Sequence, residues 1–247
     1  MSKLTTYDTM GIGYAAFRKP DARLAAVIGS ALGGATTVVN IGAGTGGYEP
    51  SGRSVIAVEP SSIMLSQRSP GFAPAVQAIA EALPLADHCA DAAMAVLTVA
   101  HWTDLGRGLD EMCRVARRVV IITVDPDVVN TLWIIADYVP EMIADVARLP
   151  AIAVLVDRLP GAQATVVPVP ADCSDLFFAA LWARPEAYLD PEVRRGTSPW
   201  HQVPVEAADR GLQRLRADLA DGTWDQRYGH LRRMPALDVG LRLVTTS

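Results

Sequence analysis

The chain has 247 residues, half of them apolar, and a formal net charge of −5. That length and apolar content fit one α/β domain with a sizeable core and exclude a disordered polymer. Arginine and lysine form no long stripe, which argues against a dedicated nucleic-acid surface while leaving open a pocket for a single base.

In chain order, residues 1–20 form an aromatic-rich lead-in that carries Tyr7, Tyr14, Arg18 and Lys19. Leu24, Val27, Ile28 and Leu32 share one stripe and predict a helix over 21–33, stopped by Gly33-Gly34. β-Branched runs predict strands at 37–41 and 54–58. The stretch between them contains Pro50 and Gly52 and is too short for a full crossover helix, so a turn or irregular crossing is expected there. Ser61 or Ser62 caps a short helix reaching about Arg68, and strands follow at 76–80 and 92–99. Asp104 caps a helix to Val115, and another strand covers 119–124.

Residues 127–162 read as two apolar helical pieces broken at Pro150, suited either to packing on the sheet or to a lid over a substrate pocket. A strand at 164–169, a helix at 174–183, a proline-rich loop at 185–204, a helix at 205–219 and a last strand at 239–244 complete the chain. Residues 211–231 alternate arginines with acids, as on a solvated amphipathic helix. No repeat or linker divides the chain, so a single domain over 1–247 is expected, with 127–162 and 174–235 on the substrate side.

The chemistry concentrates at Asn40-Ile41-Gly42-Ala43-Gly44-Thr45-Gly46 and at Glu59-Pro60. Glycines after a strand let the backbone turn tightly and approach a ligand, and a carboxylate ending the next strand can accept both hydroxyls of a ribose. This layout suits an adenosine-containing cofactor. A dinucleotide oxidoreductase shares it but needs a helix after the loop to receive the pyrophosphate.

Taken with their neighbours, these motifs resemble the class I S-adenosylmethionine-dependent methyltransferases, particularly the UbiE-like group of small-molecule enzymes. Ala80-Glu81-Ala82-Leu83-Pro84 resembles the segment beside the adenine, Asp91 to Leu97 the fourth strand, and His101-Trp102-Thr103-Asp104 the histidine-containing segment after it. The resemblance implies a Rossmann-like three-layer sandwich with a mostly parallel seven-stranded sheet and an antiparallel last strand. It implies S-adenosylmethionine as cofactor and S-adenosylhomocysteine as product. Residues 1–20 would cover the cofactor, with Tyr7 and Tyr14 closing its methionine end and Arg18 pairing with its carboxylate. Asn40, Gly42, Gly44 and Gly46 would cradle that end, Glu59 and Pro60 would hold the ribose, and Ala80, Glu81, Ala82 and Leu97 would border the remainder. Two positions depart from the pattern: Asn40 stands where the family usually has an acid, and Ala100 where a second histidine often precedes His101.

His101 lies just past the end of a central strand, where open α/β sheets carry their chemistry, and is the candidate general base; a structural role beside Trp102 is the alternative. Trp133, Tyr138, Phe177, Phe178, Trp182 and Trp200 are candidates for an aromatic substrate wall or for core. Cys89, Cys113 and Cys173 are odd in number and widely spaced, matching neither a disulfide framework nor a zinc site; no metal is expected. Met1-Ser2-Lys3-Leu4 has no leader pattern, and the apolar runs are about half a membrane span, so a cytoplasmic protein is expected. The expected function is methyl transfer to a small apolar or aromatic metabolite by a monomer or homodimer, with no nucleic-acid or membrane partner. The alternatives are a non-methylating enzyme on the same fold and a non-enzymatic small-molecule-binding protein.

Overall fold

The computed structural model describes residues 18–246. Helix α1 (Ala22–Leu32) starts where the Asp21 carboxylate accepts the Arg23 N–H, and buries Leu24, Ile28 and Leu32 on one face. Strands β1 (Thr37–Ile41) and β2 (Ser54–Val58) pair in parallel along their whole length, with no helix between them, as expected. Helix α2 (Ser62–Ser66) is capped by the Ser61 hydroxyl, which accepts the Met64 N–H. Next come β3 (Ala75–Val76), β4 (Ala90–Val96), α3 (Leu105–Val115) capped by Asp104, and β5 (Ala116–Val124). The second half contributes α4 (Ile152–Arg158), β6 (Gln163–Val166), β7 (Val169–Pro170), α5 (Val205–Ala220), α6 (Thr223–Tyr228), β8 (Ala236–Leu237) and β9 (Leu241–Thr245).

The main sheet has seven strands in the order β3-β2-β1-β4-β5-β9-β6, and a separate ribbon joins β7 to β8. Within the main sheet only β9 runs antiparallel, pairing with β5 on one side and β6 on the other. Central strands covered on both faces must be apolar on both, and Val38, Val39, Ala92 to Ala95 and Val119 to Ile122 are all buried. One face packs Leu24, Ile28 and Leu32 together with the chain after Val124; the other packs Leu109, Met112, Val115, Leu155 and Leu159. The Rossmann-like sandwich follows, with its strand order reversing between β1 and β4.

Several predicted elements differ in extent. The strand expected at 76–80 ends at Val76, after which the chain leaves the sheet edge and the Gln77 amide donates to Pro60 O at 3.0 Å. The strand expected at 92–99 stops at Val96 because Leu97 adopts φ +54°, and Val99–His101 forms a single 3-10 turn. Residues 127–162 break at Pro140 as well as Pro150, since a proline interrupts the helical hydrogen-bond ladder at each point. The helix expected at 174–183 shrinks to a turn at Phe178–Leu181, because Asp175 is drawn into contacts with Arg18 and Tyr48. The expected loop at 185–204 instead holds short helices beginning at Pro185, Pro191 and Pro199, each proline occupying the first helical position, where no N–H is needed. The 211–231 stretch is not wholly solvated, since Trp224 on α6 is fully buried.

At the amino ends of β1 and β4, one oxygen of Asp91 accepts both the N–H and the hydroxyl of Thr36 and of Thr37, at 2.8–2.9 Å. These bonds hold the Asp91 carboxyl far below its ordinary range. The Arg23 side chain, against the opposing effect of burial, does the same for Asp21. A carboxyl whose pKa is lower folded than unfolded contributes stability that is full above its unfolded value near 4 and is lost as pH falls toward the folded value. The urea midpoint is therefore expected to stay level from about pH 7 to 5 and to drop below about pH 4. Asp91→Asn should lower stability at pH 7 and flatten that drop; chemical denaturation across pH checks both.

Candidate active site

Where β1 ends, the N–H groups of Gly42 and Ala43 both donate to Val58 O, at 2.8 and 3.0 Å, so the loop crosses over the end of β2. Gly42 has φ +67°, and a Cβ there would sit 2.1 Å from the Thr98 hydroxyl, so both backbone conformation and close approach require glycine. Gly44, with φ +54°, donates its N–H to Glu59 Oε2 at 2.8 Å, while Ser61 N–H donates to Oε1 at 2.9 Å. Glu59 is 6% exposed. Gly46 has a different neighbour: a Cβ there would lie 2.9 Å from the Phe72 ring.

A cavity opens over the carboxyl ends of β1, β2 and β4. It brings together Arg18, Asn40, Gly42, Gly44, Glu59, Pro60, Ala80, Glu81, Leu97 and His101 from the predicted set. Gly46 and Ala82 are not on its wall; Gly46 faces Phe72 and Ala82 is exposed to solvent. Tyr7 and Tyr14 lie outside the described residues. Glu81 is a clamp as well as a wall residue, because its Oε1 accepts Thr103 N–H, the Thr103 hydroxyl and Asp104 N–H at 2.6, 2.8 and 3.0 Å. Burial pushes the Glu81 carboxyl up, but these donors together outweigh it and leave the group below its ordinary value.

His101 ends the 3-10 turn after β4 and is half-buried, its N–H donating to Thr98 O at 2.8 Å. Beside it Trp102 packs on Gly108 of α3, where a Cβ would stand 2.4 Å from the indole. Trp102 and Tyr48 are aromatics on the cavity wall that belong to no predicted substrate wall. The aromatic candidates Trp133, Tyr138, Phe177, Phe178 and Trp182 are instead buried in the core, and Trp200 packs against Phe178 and Tyr188. Trp133 makes edge contacts with Tyr138, Tyr188 and Trp224.

Three features carried no local sequence signal. Asp175, 1% exposed, reaches the cavity from far along the chain and accepts Arg18 Nε and Nη2 at 2.5 and 3.2 Å and the Tyr48 hydroxyl at 3.0 Å. Burial, and the charge of Asp175 beside it, push the Tyr48 phenol well above its usual range, so it remains a donor. Beneath the glycine loop, Arg68 and Glu49 form an ion pair at 2.5 Å, each side chain 6% exposed. Arg68 also donates to Ala73 O and Gly44 O and lies over Phe72, while Glu49 accepts Ala73 N–H.

The family model for the methyltransferase domain matches residues 39–123. A solved structure from Anabaena variabilis, named as a methyltransferase from an antibiotic biosynthesis pathway, is 33% identical over 94% of this chain and 99% of its own, with a TM-score of 0.88. The chain belongs to the class I S-adenosylmethionine-dependent methyltransferases. Two further structures are similar to this methyltransferase in fold alone. One is a possible histamine N-methyltransferase from Thermotoga maritima, 20% identical over 68% of this chain and 85% of its own, TM-score 0.51. The other is the (4+2)-cyclase SpnF, 16% identical over 99% of this chain and 96% of its own, TM-score 0.57. No curated protein matches. Among the described residues of the methyltransferase, no helix is long and apolar enough to cross a membrane, and no three metal-ligating side chains gather.

Removing one partner of a buried ion pair strands the other charge. Arg68→Ala should therefore destabilise the methyltransferase by about 3–5 kcal/mol in urea unfolding. A loss within the range of an exposed pair, under about 1 kcal/mol, would show that the loop does not depend on it.

Proposed function

We propose that this enzyme transfers a methyl group from S-adenosylmethionine to a small, apolar or aromatic metabolite, in the manner of the UbiE-like group. Attack at oxygen or nitrogen is favoured over carbon. The supporting observation is a single cavity whose wall joins the glycine loop, the buried Glu59 carboxylate and His101 to the apolar surfaces of Met64, Ile79, Leu97 and Trp102. The naming of the Anabaena protein after antibiotic biosynthesis also fits a small-metabolite acceptor.

The residues present fit the cofactor. Among the described residues beyond its chain neighbours, the atom within 4 Å of a would-be Cβ on Gly44 is Met64 Cε, at 3.3 Å, leaving a cradle that a side chain would fill. In this reading Asn40, Gly42 and Gly44 receive the methionyl end, Glu59 and Pro60 the ribose, and Ala80 with Leu97 and Trp102 the base and its approach. Glu81 acts by fixing the turn at Thr103 and Asp104. Bound S-adenosylmethionine supplies a sulfonium methyl already activated for displacement. The work left to the protein is alignment and exclusion of water, which Trp102 and Met64 on the cavity wall would serve, and acceptance of the acceptor's proton, which His101 would serve. The net charge of −5 and the absence of a basic tract support a small molecule over nucleic acid as acceptor. Three unpaired cysteines support a cytoplasmic setting, and burial pushes the Cys173 thiol up to about 12. The enzyme is expected to work as a monomer or homodimer.

Calorimetry should give micromolar binding of S-adenosylmethionine or S-adenosylhomocysteine with no competition from NAD. Glu59→Ala should weaken that binding by about 1.5–3 kcal/mol while the protein stays folded. Unchanged affinity in a folded variant would remove Glu59 from the ribose.

For His101, single-turnover rates over a panel of small phenols and amines provide the test. If it is the base, His101→Ala should lower turnover about 10²–10⁴-fold with cofactor affinity kept, and less for acceptors already deprotonated. A wild-type rate and pH profile in the variant would rule the base out.

A further inference from the structure

Among the described residues the cavity wall carries three carboxylates, Glu59, Glu81 and Asp175, and they are bonded in different ways. Glu59 accepts backbone N–H groups of its own neighbourhood, and Glu81 is committed to Thr103 and Asp104. Asp175 is paired with a cation, the guanidinium of Arg18, and with the phenol of Tyr48. Among the described residues Arg18 Nε bonds Oδ1, and Nη2 and the phenol bond Oδ2. Asp175 itself lines the cavity.

The pair is also placed by the chain. Tyr48 directly continues the glycine loop, and a Cβ on Gly47 would touch Pro20 at 3.9 Å, so Arg18, Tyr48 and Asp175 stand at the glycine-loop end of the cavity. Ile79, Ala80 and Trp102 line the part reached from β3 and β4. The polar residue that the end of β1 contributes to the cavity is the neutral Asn40, 4% exposed, which brings no charge of its own. A methionyl group carries an ammonium and a carboxylate on one carbon. An arginine–aspartate pair at a cavity wall is the opposite arrangement of the same charges, so the two can meet head to tail, each charge gaining a charge-assisted hydrogen bond.

We propose that Asp175 anchors the α-ammonium of the cofactor's methionyl group, with Arg18 facing its carboxylate and Tyr48 holding Asp175 in place. Asp175 thus supplies, from a segment distant in sequence, the negative charge that Asn40 does not. This rests on the cofactor placement proposed above, and the test separates the two. The ion pair is nearly buried, at 14% and 1% side-chain exposure, so a single neutralisation strands a charge. The variant Arg18→Gln/Asp175→Asn removes both charges together and is measured beside Asp175→Asn.

Calorimetry is run with S-adenosylhomocysteine and with its analogue lacking the amino group. The wild type should prefer the amino-bearing ligand by about 10- to 100-fold, the scale of one charge-assisted bond. In Asp175→Asn that preference should vanish, chiefly through weaker S-adenosylhomocysteine binding, and it should be absent in the double variant too. A double variant that keeps the wild-type preference overturns the proposal. So does an Asp175→Asn protein that loses both ligands equally, which would make the pair a latch between chain segments. A wild type that binds S-adenosylhomocysteine but is indifferent to Glu59→Ala would instead overturn the placement of the cofactor.

Discussion

A buried carboxylate at the end of β2 governs the geometry of the whole site. Glu59 takes the N–H of Gly44 on one oxygen and that of Ser61 on the other. One charge thereby fixes both the loop that follows β1 and the turn that starts α2. The loop is pinned a second time, since Val58 O accepts from Gly42 and Ala43. These bonds make the glycine loop a property of two strands in register rather than of the loop's own sequence. The register from Thr37 opposite Ser54 to Ile41 opposite Val58 is what delivers Glu59 to Gly44.

That arrangement compensates for a missing element. In an ordinary βαβ unit the helix after the glycines packs on the sheet and holds the loop from behind. Here no helix lies between Gly44 and Ser54, and the backing comes from Arg68 and Glu49 with Phe72 over Gly46. Exchanging a helix for a buried ion pair carries a cost, because desolvating two charges offsets much of their attraction. The extra bonds to Ala73 and Gly44 occupy further donors of Arg68 and the second oxygen of Glu49, and such added bonds are the condition under which a buried pair is tolerated.

What could be read from the sequence divides along the same line. The strands at 37–41 and 54–58, the caps at Ser61 or Ser62 and at Asp104, and Glu59 as a carboxylate of the site are local signals, set by periodicity and by residues within a turn of each other. The fold class followed because strands and helices alternate at βαβ distances. The helices beginning at Pro185, Pro191 and Pro199 were hidden because proline is at home both in loops and at the first helical position. The aromatic residues of the second half carry a pattern that serves a core as well as a pocket, and only tertiary packing around Trp133 decides for the core. Asp175 left no trace in its neighbourhood, since its partners Arg18 and Tyr48 come from segments that the fold alone brings together. Glu81 was visible as a site residue, but its bonds to Thr103 and Asp104 join two motifs that the sequence presents as independent.

The end of β4 shows how the fold turns a local cost into placement. Leu97 sits at φ +54°, a conformation that costs a branched residue about 1–2 kcal/mol. Its N–H is nevertheless held by Ile122 O at 2.8 Å, so the neighbouring strand fixes it there. The reversal ends the strand at Val96, brings Thr98 into the space that Gly42 leaves by lacking a side chain, and turns the next residues into the Val99–His101 turn. Glu81 then secures the following bend, and Gly108 admits Trp102. His101 and Trp102 thus reach the cavity through a strained residue, a missing Cβ on each side and one carboxylate clamp. The glycine loop and the histidine turn are in consequence parts of one packed unit: enlarging Gly42 would push Thr98, and through it the turn that carries His101.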